Sequence, residues 1–172
     1  MGGDSSYKRA FIAIGSNLGD KVANCKRAVA LVTGHEGVRL KNISSFYETE
    51  PVDMDSDHLF VNGVFEIETR LSPERLLALL LEVEKQMGRD RSRGKDRVID
   101  LDILAMEGVV RVPDEKSNLE IPHPRFAKRS FVLLPWAQIA PDYKVEGYNS
   151  TVRQLLDNLD FDDKAMPKLE DT

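Results

Sequence analysis

Asp100 and Asp102, in the run Arg97-Val98-Ile99-Asp100-Leu101-Asp102-Ile103-Leu104, carry the strongest chemical signal in the sequence. Side chains alternate along a strand, so Ile99, Leu101 and Ile103 share one face and the two carboxylates share the other. Carboxylates held that close repel and raise each other's pKa unless a cation lies between them. Oxygen-only ligation with places left for water or phosphate suits magnesium. The plainer alternative is an edge strand with a polar outer face. Asp is a poor strand former, so two of them in one strand favour a function. On spacing alone the pair serves any metal-dependent phosphoryl or nucleotidyl transfer.

Other groups add to this pair. Lys85, Arg89, Arg91, Arg93, Lys95 and Arg97 stand together against only Asp90 and Asp96. In a chain of net charge -5 such a stretch is a local anion site or a solvated loop. His123 lies between Pro122 and Pro124 and is held extended, since each proline restricts its neighbour. It can donate to a phosphate or serve only the structure. Arg125, Lys128 and Arg129 follow with no acidic residue among them, and guanidinium groups suit bidentate phosphate binding. Phe60 and Asn62 share a strand face. An aromatic plate beside an amide can hold a flat heterocycle, or the two can simply be packed.

The elements that must place these residues follow from periodicity. Ala10-Phe11-Ile12-Ala13-Ile14 reads as a strand ending at Gly15, and residues 15–19 as a turn. Asp20 caps a helix with Val22, Cys25, Val29 and Val32 at helical spacing, stopped near Gly34. Residues 38–48 read as a second strand, irregular near Asn42. Residues 59–68 read as a third, with Val61, Phe65 and Ile67 on one face and Phe60, Asn62 and Val64 on the other. Ser72-Pro73 starts a helix with an apolar stripe of Leu76, Leu77, Leu80, Val83 and Met87, stopped by Gly88. Residues 97–104 form the fourth strand. Pro113, Pro122, Pro124, Pro135 and Pro141 then divide the chain into short pieces, before a last helix over 151–159 with Ser150 as its cap. The order β-α-β-β-α-β is that of the ferredoxin-like α+β sandwich. It has an antiparallel sheet with helices on one face, followed here by an irregular C-terminal extension.

The length of 172 residues suits a single domain over residues 10–160, with loose tails at 1–9 and 161–172. Cys25 is the only cysteine, so no intramolecular disulfide forms and a reducing, cytoplasmic setting is expected. No apolar run approaches the ~20 residues needed to span a bilayer. The acidic balance argues against a nucleic-acid partner.

These motifs together resemble the 6-hydroxymethyl-7,8-dihydropterin pyrophosphokinase family. Residues 11–19 (FIAIGSNLG) resemble its opening strand and loop. Ser44-Ser45-Phe46-Tyr47-Glu48-Thr49 with Pro51, Phe60-Val61-Asn62-Gly63, Gly88-Arg89, Asp96 through Leu104, Ile121-Pro122-His123-Pro124-Arg125 and Arg129-Ser130-Phe131-Val132-Leu133 continue the resemblance in order. The block from Asp96 to Leu104 is the most specific.

The resemblance implies transfer of pyrophosphate from ATP to the hydroxymethyl group of the pterin, releasing AMP. It implies two magnesium ions on Asp100 and Asp102. Arg89, Arg91, Arg97, His123 and Arg129 would contact phosphates, with Arg89, Arg97, Asp100, Asp102 and His123 as the catalytic set. Phe60 and Phe131 would sandwich the pterin, and Asn62, Thr49, Glu50, Val52 and Asp100 would complete its site. Leu81, Ile103, Asn118 and Glu120 would form the adenine pocket, with Glu84 near the ribose. ATP and the pterin would be the partners of a monomer or weak dimer.

The sequence departs from the familiar pattern in three ways. The loop over 89–96 is shorter and lacks a tryptophan, Ser92 replaces a common lysine, and position 60 is Phe rather than Tyr. Two other readings remain open at this level. One is a non-catalytic ferredoxin-like module, which needs no carboxylate pair. The other is a nucleotidyl transferase with a different acceptor, which needs no pair of aromatic plates.

Overall fold

The computed structural model describes residues 6–49, 59–88 and 96–159. The apolar run of the first predicted strand forms β1 (Lys8–Ser16), buried on both faces along most of its length. A strand that is apolar on both faces must be covered on both, and β1 lies inside the sheet. After it come α1 (Lys21–Thr33), β2 (Val38–Ile43), β3 (Tyr47–Thr49), β4 (Phe60–Thr69), α2 (Pro73–Gln86), β5 (Asp100–Met106), α3 (Ser130–Ile139) and α4 (Val152–Asp157). The five strands run in the order β2-β4-β1-β5, with β3 also on β4, and every pairing is antiparallel. This is the predicted α+β architecture.

Side-chain alternation divides the core into two clusters. Ala10, Ile12 and Ile14 of β1 pack with Val61, Phe65 and Ile67 of β4 and Leu101 and Ile103 of β5. Cys25, Ala28, Val29 and Val32 of α1 cover them, with Leu76, Leu80 and Val83 of α2. Phe11, Val64, Leu104 and Ala105 face the other way, against Phe126, Val132, Leu133, Trp136 and Tyr143. Asp20 and Ser72 cap α1 and α2 as predicted, accepting from Ala23 N and Arg75 N.

The extension after β5 is more regular than its prolines suggest. α3 runs through Pro135, although proline in a helix interior removes a hydrogen bond. Burial explains this: Val132, Leu133 and Trp136 sit on one helix face, and Trp136 packs 5.2 Å from Phe11 and 5.4 Å from Phe126, ring centre to ring centre. The helix thereby covers the sheet face opposite α1 and α2, so helices lie on both faces rather than one. The last helix is capped by Thr151, not Ser150, with Gln154 completing a capping box.

Two strand boundaries also move. The predicted strand over 38–48 is divided into β2 and β3 by residues 44–46. Ser44 N donates to Val64 O at 2.9 Å, and Ser44 Oγ accepts from Val64 N at 2.9 Å. A side chain thus replaces the backbone acceptor at that rung. β5 begins at Asp100 rather than 97 and continues to Met106.

Gly63 sits where the chain leaves no room. A Cβ there would lie 2.9 Å from Phe46 Cδ1 and 3.2 Å from Ser44 Oγ. Gly63→Ala is expected to lower stability by about 1–3 kcal/mol through overpacking, read from the urea unfolding midpoint; an unchanged midpoint would show that the Phe46 ring yields freely.

Candidate active site

One end of the sheet carries the site. Gly15 of β1 stands opposite Asn62 of β4 on one side and Asp100 of β5 on the other. Asn62, Gly15 and Asp100 therefore form a row across three strands, and Ala13 places Asp102 one step further in. A cleft of about 500 Å³ opens over this row. Ile99, Leu101 and Ile103 point into the core beneath it, so the predicted alternation of carboxylates and aliphatics is what the structure has.

The described residues predicted for the site mostly meet in this cleft. Thr49, Phe60, Asn62, Leu81, Glu84, Arg97, Asp100, Asp102, His123, Arg129 and Phe131 all line it. Ile103, Asn118 and Glu120 do not. Ile103 is on the odd-numbered face of β5 and is 5% exposed within the core. Asn118 and Glu120 flank the buried Leu119, beside the bridge between Arg111 and Ile121. Arg89, Arg91, Glu50 and Val52 lie outside the described residues.

On the pterin side of the expected site, Asn62 is 8% exposed and its Nδ2 donates to Thr49 Oγ1 at 2.6 Å. Gly15 keeps this corner open: a Cβ there would come within 3.0 Å of Asn62 Oδ1 and 3.6 Å of the Phe60 ring. Phe131 lies in the first turn of α3, and Arg129, the residue before that helix, has its guanidinium 5.5 Å from the Phe131 ring centre.

On the charged side, Arg97 Nη1 lies 3.5 Å from Asp100 Oδ1. His123 is tied to the sheet by its backbone N, which donates to Leu104 O at 2.9 Å. Its Nδ1 accepts from Arg125 N at 3.1 Å, so the ring proton sits on Nε2. Burial lowers the His123 pKa to about 4, with Arg129 and Arg125 acting in the same direction and Asp100 against them. At neutral pH the ring is an uncharged donor. Glu84 is 4% exposed, and its Oε2 accepts from Leu101 N at 2.8 Å. The carboxylate thus ties α2 to β5 while lining the cleft.

Arg125, Leu77 and Val132 also line the cleft. Arg125 stood out in the sequence as one member of a basic cluster and as the end of the motif Ile121 to Arg125, without a site role of its own. Among the described residues no group of three or more His, Cys, Asp and Glu could hold a metal ion. The donor set present is the pair Asp100 and Asp102. Two carboxylates fit magnesium chemically, since that ion usually keeps water and phosphate oxygens in its remaining positions.

The ferredoxin-like sheet thus joins a carboxylate pair, several cations and two aromatic side chains in one cleft. Residues 11–141 match the model of the 7,8-dihydro-6-hydroxymethylpterin-pyrophosphokinase (HPPK) family, and the chain belongs to that family. A 2-amino-4-hydroxy-6-hydroxymethyldihydropteridine pyrophosphokinase of Bacillus subtilis is 40% identical over 146 residues, covering 84% of this chain and 86% of the relative. One of Methylorubrum extorquens is 41% identical over 153 residues, covering 88% and 94%. The activity is pyrophosphate transfer to a hydroxymethyldihydropterin in folate synthesis, with ATP as co-substrate. The crystal structure of Plasmodium falciparum HPPK-DHPS wild type with pteroate has a TM-score of 0.70 at 16% identity, covering 88% of this chain and 42% of that one. That likeness speaks for the fold, and this chain spans less than half of that longer protein.

The lowered His123 pKa has a consequence for stability. Between pH 6.5 and about 4 the unfolded chain takes up a proton at His123 that the folded chain refuses. Stability contributed by the neutral ring is therefore present above pH 6.5 and falls as pH drops through this window. His123→Gln is expected to flatten that part of the pH dependence, measured as urea midpoints from pH 7 to pH 4. An identical slope in the variant would assign the acid sensitivity to other groups.

Proposed function

We propose that Asp100 and Asp102 hold magnesium, two ions, against the phosphates of ATP, and that Arg97, His123 and Arg129 bind those phosphates with Arg89 and Arg91. The observation that supports this most is the single row Asn62–Gly15–Asp100, which opens the carboxylate pair and the aromatic plates into one cleft. Phe60 and Phe131 sandwich the pterin. Asn62 and Thr49, with Glu50 and Val52, read its edge. Leu81 and Leu77 give the adenine an apolar wall, and Glu84 sits at the ribose. One domain over 10–160 carries the site. A monomer or weak dimer is the assembly this reading expects.

In this reading the hydroxymethyl oxygen attacks the β-phosphorus, its proton passes through Asp100 to solvent, the bond from that phosphorus to the α,β-bridging oxygen breaks, and AMP leaves with that oxygen. Phosphoryl-type transfer asks the protein for alignment and charge stabilisation more than covalent help. Magnesium held by Asp100 and Asp102 would supply charge neutralisation at the phosphates and Lewis-acid polarisation of the centre under attack. Asp100 orients the attacking hydroxyl as a hydrogen-bond acceptor. His123 donates from Nε2 to a phosphate oxygen while remaining neutral. Arg97 and Arg129 balance the charge that gathers on the leaving AMP. The aromatic plates exclude water from the reacting oxygen.

The setting is cytoplasmic. Cys25 is fully buried with its thiol pushed up to about 12 by burial, an inert thiol that asks for no oxidising compartment. No described helix is long and apolar enough to cross a membrane.

AMP formation from ATP is expected to need both magnesium and the hydroxymethylpterin. Asp100→Asn and Asp102→Asn are each expected to remove on the order of several kcal/mol of transition-state stabilisation. Turnover that is unchanged in both variants would remove the metal assignment. A screen in which another acceptor, and not the pterin, yields product would remove the pterin assignment.

A further inference from the structure

Arg97 lies outside the sheet ladder, because β5 begins only at Asp100. Its backbone N–H and C=O must therefore find partners other than a neighbouring strand. Both partners come from Asn17. Asn17 Oδ1 accepts from Arg97 N at 2.7 Å, and Asn17 N donates to Arg97 O at 3.1 Å. The other arm of the same amide, Nδ2, donates to Asp96 Oδ1 at 2.8 Å. Asn17 is fully buried. It follows directly on β1, two residues after Gly15, whose neighbours across the sheet are Asn62 and Asp100.

The turn that carries Asn17 is itself held. Asn24 Nδ2 donates to Leu18 O at 2.9 Å, and α1 starts at the Asp20 cap immediately after the turn. Asn17 thus has a fixed origin in β1 and α1. It fastens residues 96 and 97 as a neighbouring strand would, and from there the Arg97 guanidinium reaches Asp100 at 3.5 Å.

We propose that Asn17 is a positioning residue for the nucleotide side of the site: it sets the backbone of Arg97, and through it the guanidinium beside Asp100, for the phosphates. The proposal rests on the assignment of Arg97 and Asp100 made above. It requires a planar side chain with a donor and an acceptor on adjacent arms, which is what Asn supplies. Asp at this position would keep the acceptor for Arg97 N but set one carboxylate against that of Asp96. Ala would leave a buried N–H without its partner.

The test compares the unsubstituted chain, Asn17→Asp, and the double substitution Asn17→Asp with Asp96→Asn. In the double variant donor and acceptor are exchanged and the charge of the pair is unchanged. The readouts are calorimetric affinity for the α,β-methylene analogue of ATP with magnesium, affinity for the pterin alone, AMP turnover, and melting temperature. Asn17→Asp, measured where it is folded, is expected to weaken analogue binding about tenfold, to lower turnover at least as much, and to leave pterin affinity within about twofold. The double variant is expected to regain most of both losses.

Analogue affinity and turnover that match the unsubstituted chain in folded Asn17→Asp overturn the proposal. So does a double variant that recovers its melting temperature while nucleotide binding stays weak, because that outcome describes a purely structural bond. An unsubstituted chain that binds the analogue but makes no AMP from the pterin counts against the pyrophosphokinase mechanism alone; the analogue affinities then still decide the role of Asn17.

Discussion

The site depends on the pairing of β1 along both of its edges. Nine residues of β1 run beside β4, from Lys8 opposite Thr69 to Ser16 opposite Val61, and Ala10 to Gly15 run beside β5. Because side chains alternate with a period of two, a slip of one residue between β1 and β5 would turn the carboxylates into the core and the aliphatics into the cleft. Burial on both faces opposes such a slip. The one irregularity, between Phe11 and Ile12, falls away from the site. It lets Leu104 and the adjacent Ala105 both reach the cluster around Trp136. Asp100 and Asp102 keep their places opposite Gly15 and Ala13.

Around this register the protein fastens its irregular segments with single polar groups. Ser44 substitutes for a rung where β2 ends. The backbone of His123 hangs from Leu104, Glu84 accepts from Leu101 N, and Asn17 holds Arg97. Each of these bonds satisfies a backbone group that the ladder or a helix leaves over. The last three also end at residues that line the cleft, Leu104 and His123, Glu84 and Leu101, and Arg97.

The charge pattern follows the same economy. The chain is acidic overall, yet Arg97, Arg125 and Arg129 gather with His123 over two carboxylates. Crowding by cations and burial keep the imidazole uncharged, so it adds a donor without adding to the repulsion among the arginines. In the reading proposed above, these groups together take a highly charged polyphosphate.

Much of this was legible in the chain because it is local. Alternation placed Asp100 and Asp102 on one face, and cap chemistry marked Asp20 and Ser72. The apolar run at 10–14 marked a strand, which the structure buries on both sides. Other features involve partners far apart in the chain. Asn17 and Arg97 are 80 positions apart, so neither shows the bond in its own neighbourhood. Pro135 read as a breaker because the burial that holds α3 together is supplied by Phe11 and Phe126 of other elements. Ile103 read as part of a ligand pocket, yet its place in the alternation sends it into the core. The sequence by itself determined which residues carry charge, which faces are apolar and where most helices begin, since these depend on neighbours within a turn or two. The tertiary structure alone decided which of those groups share a cleft, because strand pairing and two-sided burial join segments whose separation no local pattern records.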